Sequence, residues 1–120
     1  AKTFDCQVYI PFAEQAAVSN WDNALLSYEN LGQECPRFTY QGLLIPGDEI
    51  LLGRYNWKIL AAPGHDPHSI ILYQEDHQIL ISADALWEDG FGAIFPELDG
   101  DNGFEEVAKT LDLIEQLKIK

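Results

Sequence analysis

The stretch AAPGHDPHSIILYQEDHQILISADALW, Ala61 to Trp87, determines most of what the sequence predicts. Two runs in it, SIILYQ and QILISAD, are rich in β-branched and aromatic residues, and the polar residues Glu75–His77 separate them. Such a pattern is typical of two paired strands joined by a short turn. We therefore predict a β-hairpin that follows a loop restricted by Pro63 and Pro67, whose backbone angle φ is fixed by the ring.

The three histidines of the chain all lie in this stretch. His65 follows Gly64 in the loop before the hairpin, and Asp84 follows its second strand. Because paired strands bring their outer ends together, His65 and Asp84 are expected at the same rim of the sheet. Neutral imidazole and carboxylate both bind zinc, iron and manganese, so the pair is a candidate metal site. The alternative is a loop histidine and a turn-capping acid, since a catalytic zinc normally takes three protein ligands.

The other two histidines have different interpretations. His68 either lines a substrate cleft, paired with an acid such as Asp66, or is a partly exposed loop residue. His77 falls in the predicted hairpin turn, away from the rim, and is interpreted as a surface residue.

The residues on either side predict a strand, helices, a second hairpin and a last helix. The expected elements are a strand at Cys6–Ile10, one or two helices ending at Gly32, two strands meeting at Arg54–Asn56, and a helix capped by Asp101 or Asn102 that carries Val107, Leu111, Ile114 and Leu117. Asn20 or Asp22 could cap a second of the early helices, whose apolar face would carry Trp21, Leu25, Leu26 and Tyr28. This order predicts one α/β domain over residues 1–120, with a mixed, largely antiparallel sheet and flanking helices.

The composition restricts the function. The net charge is −13 with only seven Lys and Arg residues, so a protein that binds nucleic acid by charge alone is excluded. No apolar run approaches the roughly 20 residues of a membrane span, and no signal peptide is visible. Cys6 and Cys35 are interpreted as ordinary thiols of a cytoplasmic protein, a disulfide between them being the alternative.

Several linked features of the opening stretch resemble the metallo-β-lactamase-fold hydrolase superfamily, in its glyoxalase-II-like branch. That segment reads T-P-G-H-T-x-G-S, then an apolar hairpin, then S-G-D. Here the matching residues are Pro63–His65, Ser69 and Ser82–Asp84. The resemblance covers about Leu43 to Lys120.

The resemblance implies a four-layer αββα sandwich that holds two divalent metals, usually zinc, between its sheets. His65 would bind the first metal and Asp84 would bridge both, while iron or manganese would also suit such ligands. The implied reaction is hydrolysis of a small acyl compound such as an ester, thioester or lactone, by a water that the metals activate.

Departures from the family pattern lead to further expectations. The sequence has no H-x-H-x-D-H motif and lacks the later ligand histidine. We expect an internal segment of a longer hydrolase that is inactive, or nearly so, by itself. Such a segment would expose a sheet face or strand edges and would therefore self-associate or be partly disordered. His68 and Ala83 stand where the pattern often has Gly. Trp87, Phe91 and Phe95 either form a wall of the substrate pocket or belong to the core.

Two alternatives come from other classes of protein. One is a non-catalytic α/β binding or interaction domain with incidental histidines. The other is a calcium loop at ELDGDNG, Glu97 to Gly103, which lacks the full spacing of such loops.

Overall fold

A computed structural model describes residues 5–28, 32–33, 35–94 and 102–120. Contacts divide the chain into two compact units, Ala1–Leu44 and Ile45–Lys120. The mixed α/β class, with an antiparallel sheet and helices, is confirmed.

The first unit contains a short parallel strand pair and one short helix. Strand β1, Tyr9–Pro11, pairs in parallel with β2, Gly42–Leu44. A 3₁₀ turn, Phe12–Glu14, leads from β1 into helix α1, Gln15–Asn20. The strand expected at Cys6–Ile10 is therefore shorter and begins later. Helix α1 ends where Trp21 takes a left-handed conformation with a φ of 54°.

The predicted cap Asp22 begins a further helical turn. Its Oδ1 accepts hydrogen bonds from the backbone N–H groups of Ala24 and Leu25, both at 3.1 Å. Trp21, expected on an apolar helix face, packs edge-on against Phe38 with ring centroids 5.4 Å apart. Leu25 was expected on the same face but is 68% exposed. The left-handed residue Trp21 interrupts the helix, so the helical spacing of these residues does not produce one continuous apolar face.

The second unit is built on a four-stranded antiparallel sheet in the order β3-β4-β5-β6. Its strands are β3 (Glu49–Leu52), β4 (Tyr55–Ala61), β5 (Ile70–Gln74) and β6 (Ile79–Ile81). Both predicted hairpins are present. The first turns at Gly53 and Arg54, one to two residues earlier than expected, because Gly53 supplies a positive φ of 65°.

Helix α2, Gly103–Gln116, packs on one face of this sheet. Ala62, Ile71 and Ile114 form a buried cluster there, with the partly buried Leu60 and Leu80 against it. Each large apolar side chain buried in this way contributes roughly 1.5–3 kcal/mol.

The prediction for α2 is correct for the buried residues Val107 and Ile114, but it extends one residue beyond the end of the helix. Val107 and Ile114 are buried, and Leu117 lies one residue beyond the helix. Asn102 occupies the cap position without a side-chain hydrogen bond. The other predicted cap, Asp101, lies outside the described residues.

The opposite face of the sheet is apolar and partly exposed. Ile71 and Tyr73 of β5 are buried, so Leu72 between them points to the other face. Ile81 pairs with Leu72 and is 47% exposed, and Ile79 of the same strand is 48% exposed.

Two further observations bear on the composition. Cys6 and Cys35 are both exposed free thiols. Among the helices of the described residues, none has the length and apolarity needed to cross a membrane.

Candidate metal centre

The loop between β4 and β5 carries His65 and is held at both ends. The N–H of Ala62 donates to the carbonyl oxygen of Ser69 at 2.9 Å, which closes the loop. Gly64 has a φ of 141°, and a Cβ there would overlap Cγ2 of Val107. The loop therefore contacts α2 closely because residue 64 has no side chain.

A buried hydroxyl also fastens this loop to α2. Thr110 is 4% exposed, and its Oγ1 donates to the carbonyl oxygen of Pro63 at 2.7 Å. The two residues before His65 are thus both fixed. Gly64 is held by packing against Val107, and Pro63 is held by the hydrogen bond from Thr110.

A 3₁₀ turn after β6 carries Asp84. The turn spans Ala83–Ala85, and the hydroxyl of Ser82 donates to the carbonyl oxygen of Leu86 at 2.8 Å. Ala83 has a φ of 46°, in the left-handed region that favours glycine. The frequent Gly of the family pattern at this position therefore has a conformational reason.

The structure brings His65 and Asp84 together, at the rim where the sequence places them. Nε2 of His65 lies 3.8 Å from Oδ2 of Asp84. The side chain of His65 is 28% exposed and that of Asp84 57% exposed. The separation is too long for a hydrogen bond.

The other ring nitrogen of His65 has a fixed role. Nδ1 lies 2.6 Å from the carbonyl oxygen of Ala93. A carbonyl oxygen can only accept, so Nδ1 carries the proton and donates it. In a neutral imidazole the lone pair is then on Nε2, the nitrogen that faces Asp84. Metal-binding histidines usually have this arrangement, in which the second N–H donates to a carbonyl or carboxylate.

The donor atoms fit a divalent metal. Zinc lies about 2.0–2.2 Å from nitrogen and carboxylate oxygen, so one ion between Nε2 and Oδ2 can span their 3.8 Å separation. Among the described residues of the second unit, no third ligand-type side chain lies close enough to His65 and Asp84 to complete a group of three. The pair thus suits part of a metal site and not a complete catalytic one.

The loop after Asp84 returns to cover both side chains. The N–H of Gly92 donates to the carbonyl oxygen of Asp84 at 2.8 Å. A Cβ on Gly92 would lie 2.5 Å from that oxygen and 2.7 Å from Cγ of His65. The indole Nε1 of Trp87 donates to Oδ1 of Asp84 at 3.2 Å.

A small pocket opens at this rim. It encloses about 200 Å³ of space, counting its open mouth. Its lining residues are Ala62, Pro63, His65, Asp84, Ala85, Phe91, Gly92, Val107 and Thr110.

The remaining predicted residues lie in different places. Phe91 lines the pocket, whereas Trp87 contacts Asp84 and is not among the described lining residues. Exposed His68 lies in a turn, where its N–H donates to Oδ1 of Asp66 at 2.7 Å. Exposed His77 lies in the hairpin turn as predicted, and Phe95 falls outside the described residues.

Sequence reasoning missed three contributors to this site. Gly92 and Thr110 act through the contacts of a bare Cα and a buried hydroxyl, which a helical or loop pattern does not reveal. The carbonyl oxygen of Ala93 carries no signal at all, because every residue has one. The only signal in the sequence was the glycine content of the loop after Asp84, because glycines allow a loop to pack closely on a neighbour such as His65.

A family model and a curated relative both place this chain among metallo-hydrolase-like proteins. A family model described as the Metallo-beta-lactamase superfamily matches residues 8–120. The probable metallo-hydrolase YqgX of Bacillus subtilis (strain 168) is 40% identical over 50 residues, which cover 41% of this chain and 24% of that protein.

Solved structures share the fold. The chain matches the B3 metallo-beta-lactamase BLEG-1 with 26% identity and a TM-score of 0.63, over 77% of this chain and 44% of that one. It matches a metallo-beta-lactamase family protein from Thermus thermophilus with 17% identity and a TM-score of 0.71, over 98% and 45% of the two chains. This chain therefore spans less than half the length of these relatives.

Proposed function

This chain belongs to the metallo-β-lactamase superfamily, and we propose that it is part of a metal-dependent hydrolase whose metal centre includes His65 and Asp84. The observation that carries this proposal is the hydrogen bonding and orientation of the His65 ring. Its Nδ1–H is held by the carbonyl oxygen of Ala93 at 2.6 Å, so Nε2 presents its lone pair toward Oδ2 of Asp84. A carboxylate and an imidazole oriented through its Nδ1 at one pocket rim supply two of the three protein ligands that a catalytic zinc normally takes.

Zinc is the proposed metal, in a site of two ions, because imidazole with carboxylate suits it well. Iron and manganese accept the same ligands and are the alternatives to test. When bound, such a metal lowers the pKa of a coordinated water and polarises the substrate carbonyl.

The chain's own residues have distinct roles in this proposal. His65 and Asp84 hold the metal. The negative charge of Asp84 compensates part of the positive charge of the metal ion. Phe91 forms an apolar wall of the pocket beside them, which limits the access of bulk water to the reacting group. Gly92 lets this wall approach the ligands closely.

The proposed substrates are small thioesters, esters or lactones, as in the glyoxalase-II-like branch. The support is the resemblance of residues 63–65, 69 and 82–84 to that branch, together with a pocket that carries no cationic side chain among its described lining residues. A phosphate backbone is not a proposed partner, because the chain has a net charge of −13.

We further propose that this chain alone is inactive and binds zinc only weakly. The sequence contains no H-x-H-x-D-H motif, and two ligands are fewer than a catalytic zinc requires. The proposed setting is a cytoplasmic enzyme, which the two free thiols support. The partly exposed apolar sheet face at Ile79 and Ile81 supports self-association of the isolated chain.

Two measurements test this function. The gene on either side of this sequence is expected to encode H-x-H-x-D-H before Ala1 and a further ligand histidine after Lys120; absence of both would reject the proposed complete site. Hydrolysis of a thioester and a lactone is expected from the protein so encoded with zinc. Stoichiometric tight zinc and real turnover in the 120-residue chain would instead contradict the proposed division of the site.

A further inference from the structure

The two carboxylate oxygens of Asp84 have different neighbours. Oδ2 faces Nε2 of His65 at 3.8 Å, whereas Oδ1 accepts a hydrogen bond from the indole Nε1 of Trp87 at 3.2 Å. Asp84 is 57% exposed, and the terminal torsion of an aspartate is broad and roughly two-fold. Without a donor on one oxygen, the carboxylate would rotate and no oxygen would be held toward His65.

The backbone places the indole donor for this contact. Trp87 lies two residues beyond the 3₁₀ turn Ala83–Ala85, after Leu86, whose backbone is extended with a φ of −149° and a ψ of 131°. The N–H of Trp87 donates to the carbonyl oxygen of Gly90 at 2.7 Å, which closes a tight turn. The N–H of Gly92 then returns to the carbonyl oxygen of Asp84. Main-chain hydrogen bonds thus hold both residues of the indole contact, Trp87 and Asp84, in place.

An indole N–H is well suited to this task. It is a donor only, and it is neutral. A lysine or arginine in its place would orient the carboxylate equally well, but its charge would repel a metal ion at Oδ2. The indole fixes the carboxylate without adding positive charge to the site.

We propose that Trp87 is a positioning residue for the metal centre: it holds Oδ1 of Asp84 so that Oδ2 faces Nε2 of His65. The inference rests on the proposed metal-binding function. It also assigns Trp87 a role other than forming the wall of a substrate pocket. Hydrogen bonds to metal ligands are typically worth 10–100-fold in metal affinity. We expect about tenfold, the lower limit, because Trp87 is 52% exposed.

The first test needs no metal. In the ¹⁵N-labelled chain, the indole N–H resonance of Trp87 is assigned by its loss in Trp87→Phe. Asp84→Ala is expected to move this resonance, because the acceptor is removed. Asp66→Ala, which removes a carboxylate on the neighbouring loop, is expected to leave it in place. An unmoved indole resonance in Asp84→Ala would overturn the proposal.

The second test adds zinc to the same chain and follows two sets of resonances. The ring resonances of His65 report metal binding, and the indole of Trp87 reports the response of the proposed positioning residue. Both are expected to move with the same apparent Kd. Trp87→Phe keeps an aromatic ring and loses the donor, so its Kd, read from His65, is expected to rise about tenfold. Trp57→Phe, on β4, is the matched control and should keep the wild-type Kd.

The outcomes separate the two proposals. If His65 responds to zinc with the wild-type Kd in Trp87→Phe, the role of Trp87 is overturned and the metal-binding function stands. If His65 does not respond to zinc in the wild-type chain, both proposals are rejected.

Discussion

Gly92 lies so close to His65 that a Cβ at residue 92 would stand 2.7 Å from the imidazole Cγ. The same Cβ would lie 2.5 Å from the carbonyl oxygen of Asp84. One glycine therefore permits both candidate ligands to be covered by the loop that supplies the carbonyl of Ala93. This contact connects the loop's sequence to the geometry of the metal centre.

Gly92→Ala is expected to displace the loop and release His65 from Ala93. Overpacking of this kind costs about 1–3 kcal/mol in the free energy of unfolding, and the histidine ring should lose its fixed tautomer. Chemical denaturation and the ¹⁵N shifts of the His65 ring measure the two effects. Gly53→Ala is the control, because it strains a turn with a φ of 65° but meets no atom within 4 Å. Unchanged His65 shifts in Gly92→Ala would contradict this role.

Ala83→Gly is expected to stabilise the protein. A left-handed conformation costs a non-glycine residue about 1–2 kcal/mol, and the greater freedom of glycine in the unfolded chain offsets roughly 0.4–1 kcal/mol of that gain. The net increase in the free energy of unfolding should be about 0.5–1 kcal/mol. Ala85→Gly, in the same 3₁₀ turn without a positive φ, should destabilise by a similar amount. Equal effects of the two substitutions would show that the conformation of Ala83 is not strained.

Thr110→Val should loosen the loop that carries His65. Valine has nearly the same shape as threonine, but it leaves the carbonyl oxygen of Pro63 without the donor now 2.7 Å away. The free energy of unfolding should fall by about 1–2 kcal/mol, and amide exchange at Gly64 and His65 should become faster. Thr110→Ser retains the hydroxyl and is the control for the exchange rates. Slow exchange in the valine variant would assign the loop's rigidity to packing alone.

The ion pair of Lys58 and Glu75, 2.5 Å apart, should give a pH-dependent contribution to stability. The hydrogen bond from Lys58 lowers the pKa of Glu75, and the hydrogen bond to Glu75 raises the pKa of Lys58. A lowered carboxyl pKa stabilises the fold above the unfolded pKa, and this contribution is lost as pH falls through the folded pKa. A raised lysine pKa stabilises below the unfolded pKa, and its contribution is lost as pH rises through the folded pKa.

Lys58→Gln should therefore lower the Tm most between about pH 5 and pH 10. The effect should be small and should disappear in about 1 M salt, since both groups are exposed and screened. Thermal denaturation over pH in low and high salt measures it. A Tm difference that persists in high salt would indicate packing by the lysine stem in place of the ion pair.

The sequence predicted the second unit better than the first. The two hairpins and α2 follow from period-two and helical patterns that local residues determine, and these patterns also brought His65 and Asp84 to one rim. In the first unit, the spacing of Trp21 and Leu25 predicted that both lie on the apolar face of one helix, but the left-handed Trp21 is the residue at which α1 ends. Such a backbone turn depends on tertiary contacts, so spacing alone cannot predict it.

The sequence predicted that His65 and Asp84 lie together, and it did not predict the contacts that hold them there. Residue types and spacing identify an imidazole and a carboxylate. The support comes from the carbonyl of Ala93, from the absent side chain of Gly92 and from the indole hydrogen bond of Trp87. These contacts depend on how a Gly-rich loop packs, and loops carry no periodic signal.

A zinc titration of the wild-type chain, His65→Ala and Asp84→Ala measures whether this pair of side chains binds metal. His77→Ala is the control, since His77 lies in the turn between β5 and β6 and its Nδ1 contacts Oε1 of Gln74 at 3.0 Å. We expect weak saturable binding in the wild type and in His77→Ala, and loss of that binding in both ligand variants. Binding that is unchanged in His65→Ala and Asp84→Ala would contradict the assignment of this pair as metal ligands.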